Sequence, residues 1–563
     1  MASHRLLAAV AITIVSFLCI NAPPATGAVA EHTFIVSQVK MTHLCKETLV
    51  TVVNGQLPGP AIEVTEGDIV AVHVVNKSPH NITIHWHGVK QWRNCWADGV
   101  PMITQPCILP SHNFTYRFDV VGQEGTLWWH AHVPCIRATL HGALIIRPRN
   151  APASYPFPKP HKEVPIIIGT PEDGYVLDVE HGKTYLLRLI NAGLFSEFYL
   201  KIAGHKFTVV AADANYVTPY TMDVIAIAPG ETVDALLVAD APPSRYYMVA
   251  LPNQAPLPDT QTPEHSTRGM VRYRDNPCPS NSEAASVSSC NNEEGRPAGS
   301  SGDVPVATEM PDQHDTITSF YFHGNMTSRQ SGTNGGTHQC RWKSTSTCLL
   351  CLALAPLLAR EPPMTSTPLL EAHYYHTGSL NKTKELPDRP PVLYNFTDRA
   401  LIPFGPKEKR LEPTTKEMLV RRFRHGAVVE MVFQSSAMLQ GDSNPMHLHG
   451  HEMIIVAQGL GNYDAAKDVA RYNLLNPPAK NTVLVPNLGW IAVRFVANNP
   501  GVWFMHCHYE FHLSMGMAAV FIVEDGPTVD TSLPPPPEGF PTHDDNLMSD
   551  GFYLKTKKSE ASS

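Results

Sequence analysis

Four histidine pairs of the form His-x-His constrain this chain more than any other feature of its sequence. They are His85/His87, His130/His132, His447/His449 and His506/His508. Residues i and i+2 of a β-strand point to the same face, roughly 6–7 Å apart at the backbone. Each pair therefore presents two imidazoles on one side of a strand, which suits two neighbouring metal ions better than chelation of one. A single such pair is more often a surface feature, but four pairs beside apolar strand residues predict a shared metal cluster.

The histidine pairs lie in matched halves of an internal repeat. Residues 125–148, GTLWWHAHVPCIRATLHGALIIRP, resemble residues 501–524, GVWFMHCHYEFHLSMGMAAVFIVE, and ITIHWHGV (82–89) resembles NPMHLHGH (444–451). A looser repeat of alternating apolar residues is typical of half-buried strands and occurs three times, at 66–76, 180–191 and 424–434. Three copies predict three related β-domains. The middle one has no histidine pairs, so we expect it to be a spacer or a packing partner.

Cys507 lies between the last two histidines and points to the opposite face of their strand. It therefore serves a second site behind the cluster, with His512 and Met517 following in the sequence. A thiolate, an imidazole and a weak axial thioether are the ligands of blue-copper electron-transfer sites. Ala131 takes the place of the cysteine in the first repeat, so no second site is expected there. A one-electron site joined to a multi-metal cluster predicts delivery of several electrons to one substrate, with dioxygen as the natural candidate.

The N-terminal segment predicts export. Arg5 is followed by an apolar run from Leu6 to Ile20 and then by small residues around Ala28. This is the pattern of a cleaved signal peptide rather than of a membrane anchor. The net charge of -8, with no basic stripe, argues against a nucleic-acid partner. Six Asn-x-Ser/Thr sequons predict a secreted glycoprotein: Asn76, Asn81, Asn113, Asn325, Asn381 and Asn395.

These stretches resemble those of the multicopper oxidases, and the plant laccases in particular. The similar segments cover most of residues 31–275, 303–326 and 369–540, including IHWHGVKQWRNCWADGV and NPGVWFMHCHYEFHL. The resemblance implies an all-β fold of three cupredoxin-like Greek-key β-sandwich domains, with a trinuclear copper cluster between the first and the third. It also implies a cofactor of four copper ions, phenols (of the hydroquinone or lignin type) and O2 as substrates, and a secreted monomer of the apoplast or cell wall.

The resemblance also implies a role for each site residue. His85 and His447 would bind the type 2 copper; His87, His130 and His508 would bind one type 3 copper, and His132, His449 and His506 the other. Cys507 and His512 would bind the type 1 copper, with Met517 in the axial place, and Cys507, His506 and His508 would carry electrons to the cluster. Asp98 matches an acidic residue that helps to deliver protons to reduced oxygen. The alternative for Asp98 is a turn residue in the sequence ADG.

The sequence departs from the laccase pattern in three places. Asn444 stands where the type 1 site expects a histidine, and an amide is a poor copper ligand beside a thiolate. The site then takes the Asn444 oxygen, recruits His451 or binds copper weakly. Met517 stands where plant laccases often have an apolar non-ligand, and a thioether is expected to lower the reduction potential. The chain also omits family sequence after VPIIIGT (164–170), and residues 328–363 are unlike the family.

The chain of 563 residues is too long for one hydrophobic core. We expect a signal peptide over 1–30, plastocyanin-like domains over 31–150, 161–315 (truncated) and 369–530, an irregular linker over 316–368 and a tail over 531–563. Two alternative functions remain: another multicopper oxidase, such as an ascorbate oxidase, and a non-catalytic cell-wall glycoprotein whose type 1 site is impaired by Asn444. A zinc protein is disfavoured, because zinc has no redox role and no use for Cys507.

Overall fold

The computed structural model describes residues 27–43, 46–149, 155–169, 174–253, 266–274, 305–312, 314–329, 346–351, 357–359, 367–376, 380, 383–386, 415–435 and 443–540. These residues are mostly strands, as the alternating apolar pattern predicts. The strands form six sheets that pair into three sandwiches, each with a large hydrophobic core. Within the described ranges, no helix is long and apolar enough to cross a membrane.

The first sandwich carries two of the four histidine pairs. Its strands are β1 (Val29–His43), β2 (Lys46–Val53), β3 (Ile62–Thr65), β4 (Ile69–Asn76), β5 (Ile84–His87), β6 (Asn113–Asp119), β7 (Gly125–Ala131) and β8 (His141–Arg147). The sheet orders are β2-β1-β4-β6 and β3-β8-β7-β5. Alternate residues of β4 point into a core that also contains Trp86 and Trp129. Because β5 pairs with β7, His85 lies opposite His130.

The middle sandwich has two five-stranded sheets, β10-β18-β17-β12-β15 and β14-β13-β16-β11-β9. Its strands are β9 (Lys162–Ile168), β10 (Tyr175–Val179), β11 (Thr184–Asn191), β12 (Glu197–Ile202), β13 (Phe207–Ala212), β14 (Asn215–Met222), β15 (Ile225–Ile227), β16 (Thr232–Val238), β17 (Arg245–Asn253) and β18 (Thr267–Tyr273). Helix α1 (Thr316–Gly324) is capped by Asp315, and its Phe322 packs into this core.

The third sandwich carries the other two histidine pairs. Its strands are β19 (Ser346–Cys351), β20 (Leu357–Ala359), β21 (Thr383–Glu385), β22 (Thr415–Phe423), β23 (Ala427–Gln434), β24 (Asn444–Leu448), β25 (Met453–Leu460), β26 (Ala479–Lys480), β27 (Thr482–Val485), β28 (Gly489–Ala497), β29 (Gly501–Cys507) and β30 (Ala518–Val523). Short helices α2 (Leu369–Tyr374), α3 (Ala465–Asp468) and α4 (Glu510–Met515) lie between strands. Because β24 pairs with β29, His447 lies opposite His506.

Two expectations from the sequence were wrong in this architecture. The predicted irregular linker over 316–368 contains α1, whose Phe322 packs into the middle core, and also β19 and β20, which pair with β23 and β22. The sequon at Asn76 is not available to a glycan. Asn76 is 0% exposed, and its amide nitrogen donates to two backbone carbonyls at 2.7 and 2.9 Å.

The other predictions outside the site have varied outcomes. The side chains of Asn81, Asn113 and Asn325 are exposed, while Asn381 and Asn395 lie outside the described residues. Residues 1–26 of the predicted signal peptide also lie outside them, and β1 begins at Val29. The domain boundaries stay predictions.

Candidate metal centre

The structure brings all eight paired histidines into one buried imidazole cluster between the first and third sandwiches. None of the eight is more than 8% exposed. The rings of His87 and His447 stack with centroids 3.8 Å apart, and those of His85 and His449 stack at 4.0 Å. The two halves of the repeat, more than 300 residues apart in the sequence, therefore build one site.

Three groups of rings within the described chain are compact enough to hold a metal ion each. In each group, the candidate ligand atoms lie within 4.8 Å of one another. The groups are His85, His87 and His130; His85, His447 and His449; and His132, His449 and His506. The eighth ring, that of His508, places Nε2 at 3.2 Å from Nδ1 of His87.

Hydrogen bonds on the outer side of the rings direct the inner nitrogens into the cluster. Nδ1 of His130, His447 and His506 each donates to a backbone carbonyl at 2.9 Å. Their Nε2 atoms are thereby left for the interior, because a ring nitrogen opposite a bonded N–H keeps its lone pair.

His87 is held in the opposite orientation. Its Nε2 lies 3.1 Å from Oδ1 of Asn481 and 3.0 Å from Oγ1 of Thr482. Its Nδ1 therefore faces the interior, 3.4 Å from Nε2 of His130. The sequence did not predict this reversal, because the two residues that cause it lie almost 400 positions away.

The chemistry of the cluster fits transition-metal ions. Nε2 atoms of His85, His132 and His447 are buried and have no hydrogen-bond partner among the described residues. Buried polar atoms without a partner are costly, unless an ion binds them. Burial lowers the pKa of His132 and His447 well below 6.5, so both rings are neutral at pH 7. Neutral imidazoles are the form that metals such as copper bind.

Asp98 bridges the two halves of the cluster. Its backbone carbonyl accepts a hydrogen bond from Nδ1 of His85 at 2.7 Å, and its Oδ2 accepts one from Nδ1 of His449 at 2.9 Å. Asp98 is 0% exposed, although it follows a short 3-10 turn. The sequence left two hypotheses for Asp98, a group that serves the cluster and a turn residue. These contacts favour the first.

A second site lies behind β29, where Cys507 faces the core of the third sandwich. Sγ of Cys507 is 3.4 Å from Nδ1 of His512 and 4.0 Å from Oδ1 of Asn444. Metal bonds of about 2.0–2.3 Å place ligand atoms about 3–4 Å apart, so one ion fits among the three. The N–H of Cys507 also donates to the carbonyl of Met517 at 2.9 Å, which places Met517 beside the site. Burial lowers the pKa of His512 to about 4.

His451 is not brought to this second site. Its ring packs against Phe495 and Trp503, with centroids 5.3 and 5.7 Å away, and its Nδ1 donates to a backbone carbonyl. Trp503 lies four residues before Cys507 on β29, which is about 13 Å along a strand. Of the three alternatives for the missing type 1 histidine, these contacts disfavour His451, whereas the Asn444 oxygen lies 4.0 Å from the Cys507 sulfur.

Arg137 and Glu510 are site residues that the sequence reasoning missed. Arg137 Nη1 lies 2.5 Å from Nδ1 of His508, and Nη2 donates to the His508 carbonyl at 3.0 Å. Nη2 also lies 3.4 Å from Oε2 of Glu510, and the pair is only 3% and 6% exposed at the side chains. One signal was available in the sequence: each charged residue comes shortly after a histidine pair, at matching ends of the internal repeat.

Together, fold and site define a class of protein: a redox metalloprotein of three β-sandwiches, with a cysteine-containing site behind a multi-metal histidine cluster. Models of the multicopper oxidase family match residues 35–151, 128–275 and 385–527. Laccase-15 of Oryza sativa subsp. japonica is 57% identical, over 94% of this chain and 96% of that protein. Putative laccase-18 of Oryza sativa subsp. indica is 47% identical, over 91% and 93%. The chain belongs to the multicopper oxidase family.

Solved structures agree with this assignment. A mutant of the laccase from B. aclada matches with a TM-score of 0.63 at 25% identity, over 89% of each chain. Fet3p, a multicopper oxidase that functions in iron import, matches at 0.61 with 18% identity over 88% of this chain and 90% of its own, which shows the fold alone. The prediction of cupredoxin-like β-domains is confirmed. So is the prediction of a laccase-like copper oxidase, in a family where four coppers are standard.

Proposed function

We propose that this laccase-like enzyme oxidises phenols one electron at a time beside His512 and reduces O2 to water at the imidazole cluster. The observation that carries the proposal is the position of Cys507. Its side chain lies with His512 on one face of β29, while its neighbours His506 and His508 belong to the cluster on the other. Bound copper supplies the one-electron chemistry at both sites.

Several contacts support the ligand sets implied by the family, although two of the three compact groups combine His85 with rings of other sets. His132, His449 and His506 form one of the three compact groups, which supports their assignment to one type 3 copper. His87 Nδ1 lies 3.4 Å from Nε2 of His130 and 3.2 Å from Nε2 of His508, which supports these three for the other type 3 copper. His85 and His447 then share the type 2 copper; both have Nε2 atoms without a partner in the described structure.

The surface around His512 suits an aromatic substrate. Phe511 is 37% exposed, and its ring centroid is 4.2 Å from that of His512. Phe195, from the middle sandwich, is 39% exposed and lies 6.0 Å from Phe511. These rings give a phenol an apolar surface to stack on beside the histidine edge. The natural phenol, of the lignin or hydroquinone class, is part of the proposal.

Asp98 is the group that we assign to proton delivery. Its Oδ1 has no hydrogen-bond partner among the described residues and lies 3.4 Å from Nδ1 of His85. Its Oδ2 is engaged by His449. One oxygen of the carboxyl group therefore orients a ligand, while the other is available to hold a proton beside the cluster.

The first experiment measures copper per chain, the visible spectrum and the EPR spectrum of the secreted protein, together with its Asn444→His variant. Four coppers and an intense blue thiolate band in the wild type support the proposal. In that case, N444H retains its type 1 copper about 10-fold or more tightly, because an imidazole replaces an amide. Three coppers and no blue band contradict it and favour a non-catalytic glycoprotein. N444H then tests whether one substitution restores the site.

We further infer a secreted, monomeric glycoprotein of the apoplast, on the signal-like N-terminus and the exposed sequons. Asn81, Asn113 and Asn325 are the described glycan sites that we propose. Mass spectrometry of the secreted protein before and after glycan removal tests these sites, and its N-terminal sequence tests the cleavage. Unmodified peptides at all three positions contradict the glycan assignment.

A further inference from the structure

The middle sandwich supplies none of the proposed copper ligands, yet two of its turns reach the imidazole cluster. Asp213 follows β13, and Gly230 and Glu231 directly precede β16. Both carboxylates are buried, at 1% and 0% exposure. A spacer or a packing partner needs no buried acids at this interface, since buried charges are costly to desolvate.

Gly230 forms part of the wall of the cluster. A Cβ atom at this position would lie 3.0 Å from the ring of His508 and 3.2 Å from Cε1 of His87. Its φ of +94° also lies in the region that favours glycine. The backbone of the middle sandwich thus packs directly against two proposed ligands, with no room for a side chain.

Asp213 holds the segment that orients two of the rings. Its Oδ1 accepts the N–H of Thr232 at 3.0 Å, and its Oδ2 accepts the N–H of Thr482 at 3.1 Å. Oγ1 of Thr482 lies 3.0 Å from Nε2 of His87 and 3.1 Å from Nδ1 of His447. One carboxylate of the middle sandwich therefore fixes the hydroxyl that lies between rings from the other two sandwiches.

A buried ion pair anchors the same segment two residues earlier. Lys480 Nζ donates to Oε1 of Glu231, and Oε2 of Glu231 lies 3.1 Å from Nε2 of His323. The Lys480 and Glu231 side chains are 1% and 0% exposed. Residues 480–482 are thus held at both ends by the middle sandwich, which leaves Asn481 and Thr482 little freedom to turn away from the cluster.

We propose that Asp213 is a positioning residue for the copper cluster, which acts through Thr482 on the ring orientations of His87 and His447. The proposal rests on the copper ligands proposed above. Asp213 has no hydrogen bond to a proposed ligand among the described contacts, so its effect passes through the Thr482 backbone and hydroxyl. Partners in this second layer typically contribute 10–100-fold to metal affinity or activity.

The test compares Asp213→Asn, Thr482→Val and Thr482→Ser as copper-loaded, full-length proteins. D213N replaces one accepting oxygen by an NH2 group, which cannot accept a backbone N–H. T482V removes the hydroxyl, and T482S keeps it. We expect D213N and T482V to lose cluster copper to a chelator about 10–100-fold more readily than the wild type. The cluster EPR signal should change while the blue band of Cys507 stays, and T482S should behave like the wild type.

Asp234→Asn is the matched control. Asp234 is a buried acid of the same sandwich that pairs with Arg188 at 2.9 Å, and it has no hydrogen bond to residues 480–482 in the described chain. D234N should lower the melting temperature of copper-free and copper-loaded protein alike. D213N should lower that of the loaded protein more, because only the loaded form gains stability from bound copper.

The outcomes separate this proposal from the one on which it rests. Equal copper loss in wild type, D213N and T482V overturns the positioning role, as does equal copper loss in T482V and T482S. If D213N does not fold, the T482V and T482S pair decides. A wild type that retains no cluster copper overturns the proposed ligand sets instead.

Discussion

Strands β7 and β29 are matching copies in the internal repeat, but only β29 carries a cysteine between its histidines. Each pairs with a second histidine strand in the same way: His130 lies opposite His85, and His506 lies opposite His447. The residue between the paired histidines is Ala131 in β7 and Cys507 in β29, and both point away from the cluster into a core. One scaffold thus supplies half of the cluster from each end of the chain.

The two copies differ in the segment that comes after each strand. After β7, a short 3-10 turn (Ile136–Ala138) leads directly into β8. After β29, helix α4 returns His512 to within 3.4 Å of the Cys507 sulfur. A cysteine on the strand is therefore insufficient for a second site, because the returning helix has to bring another ligand. Arg137 and Glu510, one from each copy, connect the two segments through a buried ion pair.

The largest expected effect comes from Cys507→Ala, which gives β29 the His-Ala-His sequence of β7. We expect loss of the blue band, a fall from four coppers to three, and a decrease in phenol oxidation of about 10⁴-fold or more, because the electron entry is gone. Metal analysis and steady-state assays measure this. The converse change, Ala131→Cys, should create no blue band, since no ligand helix comes after β7. A blue band in A131C would show that the strand alone makes the site.

Arg137→Met removes the ion pair that connects the segment after β7 to the segment after β29. We expect it to lower the free energy of unfolding by about 3–5 kcal/mol, because Glu510 is left buried without its charge partner. Denaturant unfolding of the copper-free protein measures the loss. The double variant R137M/E510L should lose less than R137M alone. Lys40→Met, in a pair whose side chains are 71% and 58% exposed, is the control and should cost less than about 1 kcal/mol. Equal losses of unfolding free energy in R137M and K40M would show that the Arg137–Glu510 pair does not stabilise the contact between the two segments.

Asp98→Asn tests the bridge between the halves at the cluster itself. We expect kcat to fall about 10–100-fold, because an amide can still accept the hydrogen bond from His449 but cannot hold a proton beside the cluster. The blue band should be unchanged, since Cys507 lies on the other face of β29. Asp119→Asn, at an exposed position of β6, is the control. Wild-type turnover in D98N would return Asp98 to the role of a turn residue.

The smallest expected effect is a pH dependence of the free energy of unfolding, to which one buried histidine of the first sandwich and one of the third contribute. Burial lowers the pKa of His141, on β8, and of His451, after β24, to about 4. The unfolded rings have a pKa near 6.5, so below that pH the unfolded state binds more protons and stability falls. At pH 5.5 each ring should cost about 1.4 kcal/mol relative to neutral pH. The measurement compares the stability lost between pH 7.5 and 5.5 in copper-free wild type with that lost in His141→Gln and in His451→Gln, because the cluster imidazoles titrate in the same range. An equal loss in the variants and the wild type would contradict buried neutral rings at these two positions.

Much of the site was predictable because its signals are local. The i, i+2 spacing of the histidines and the alternation at Cys507 depend only on strand geometry, so the sequence indicated two sites on two faces of β29. Internal similarity then indicated which segments form matching halves. The same local rules failed at Asn76 and at helix α1, because burial there depends on surfaces supplied by distant parts of the chain.

The sequence by itself determined the residue types of the metal centre, the strand faces that carry them and the all-β class of the fold. Only the tertiary structure decided how those residues are held. The reversed ring of His87 depends on Asn481 and Thr482, the buried pair of Arg137 and Glu510 joins two sandwiches, and the contacts of Asp213 and Gly230 come from a third. The physical reason is range: strand periodicity is set between neighbours, whereas hydrogen-bond partners and burial are set by packing across hundreds of residues.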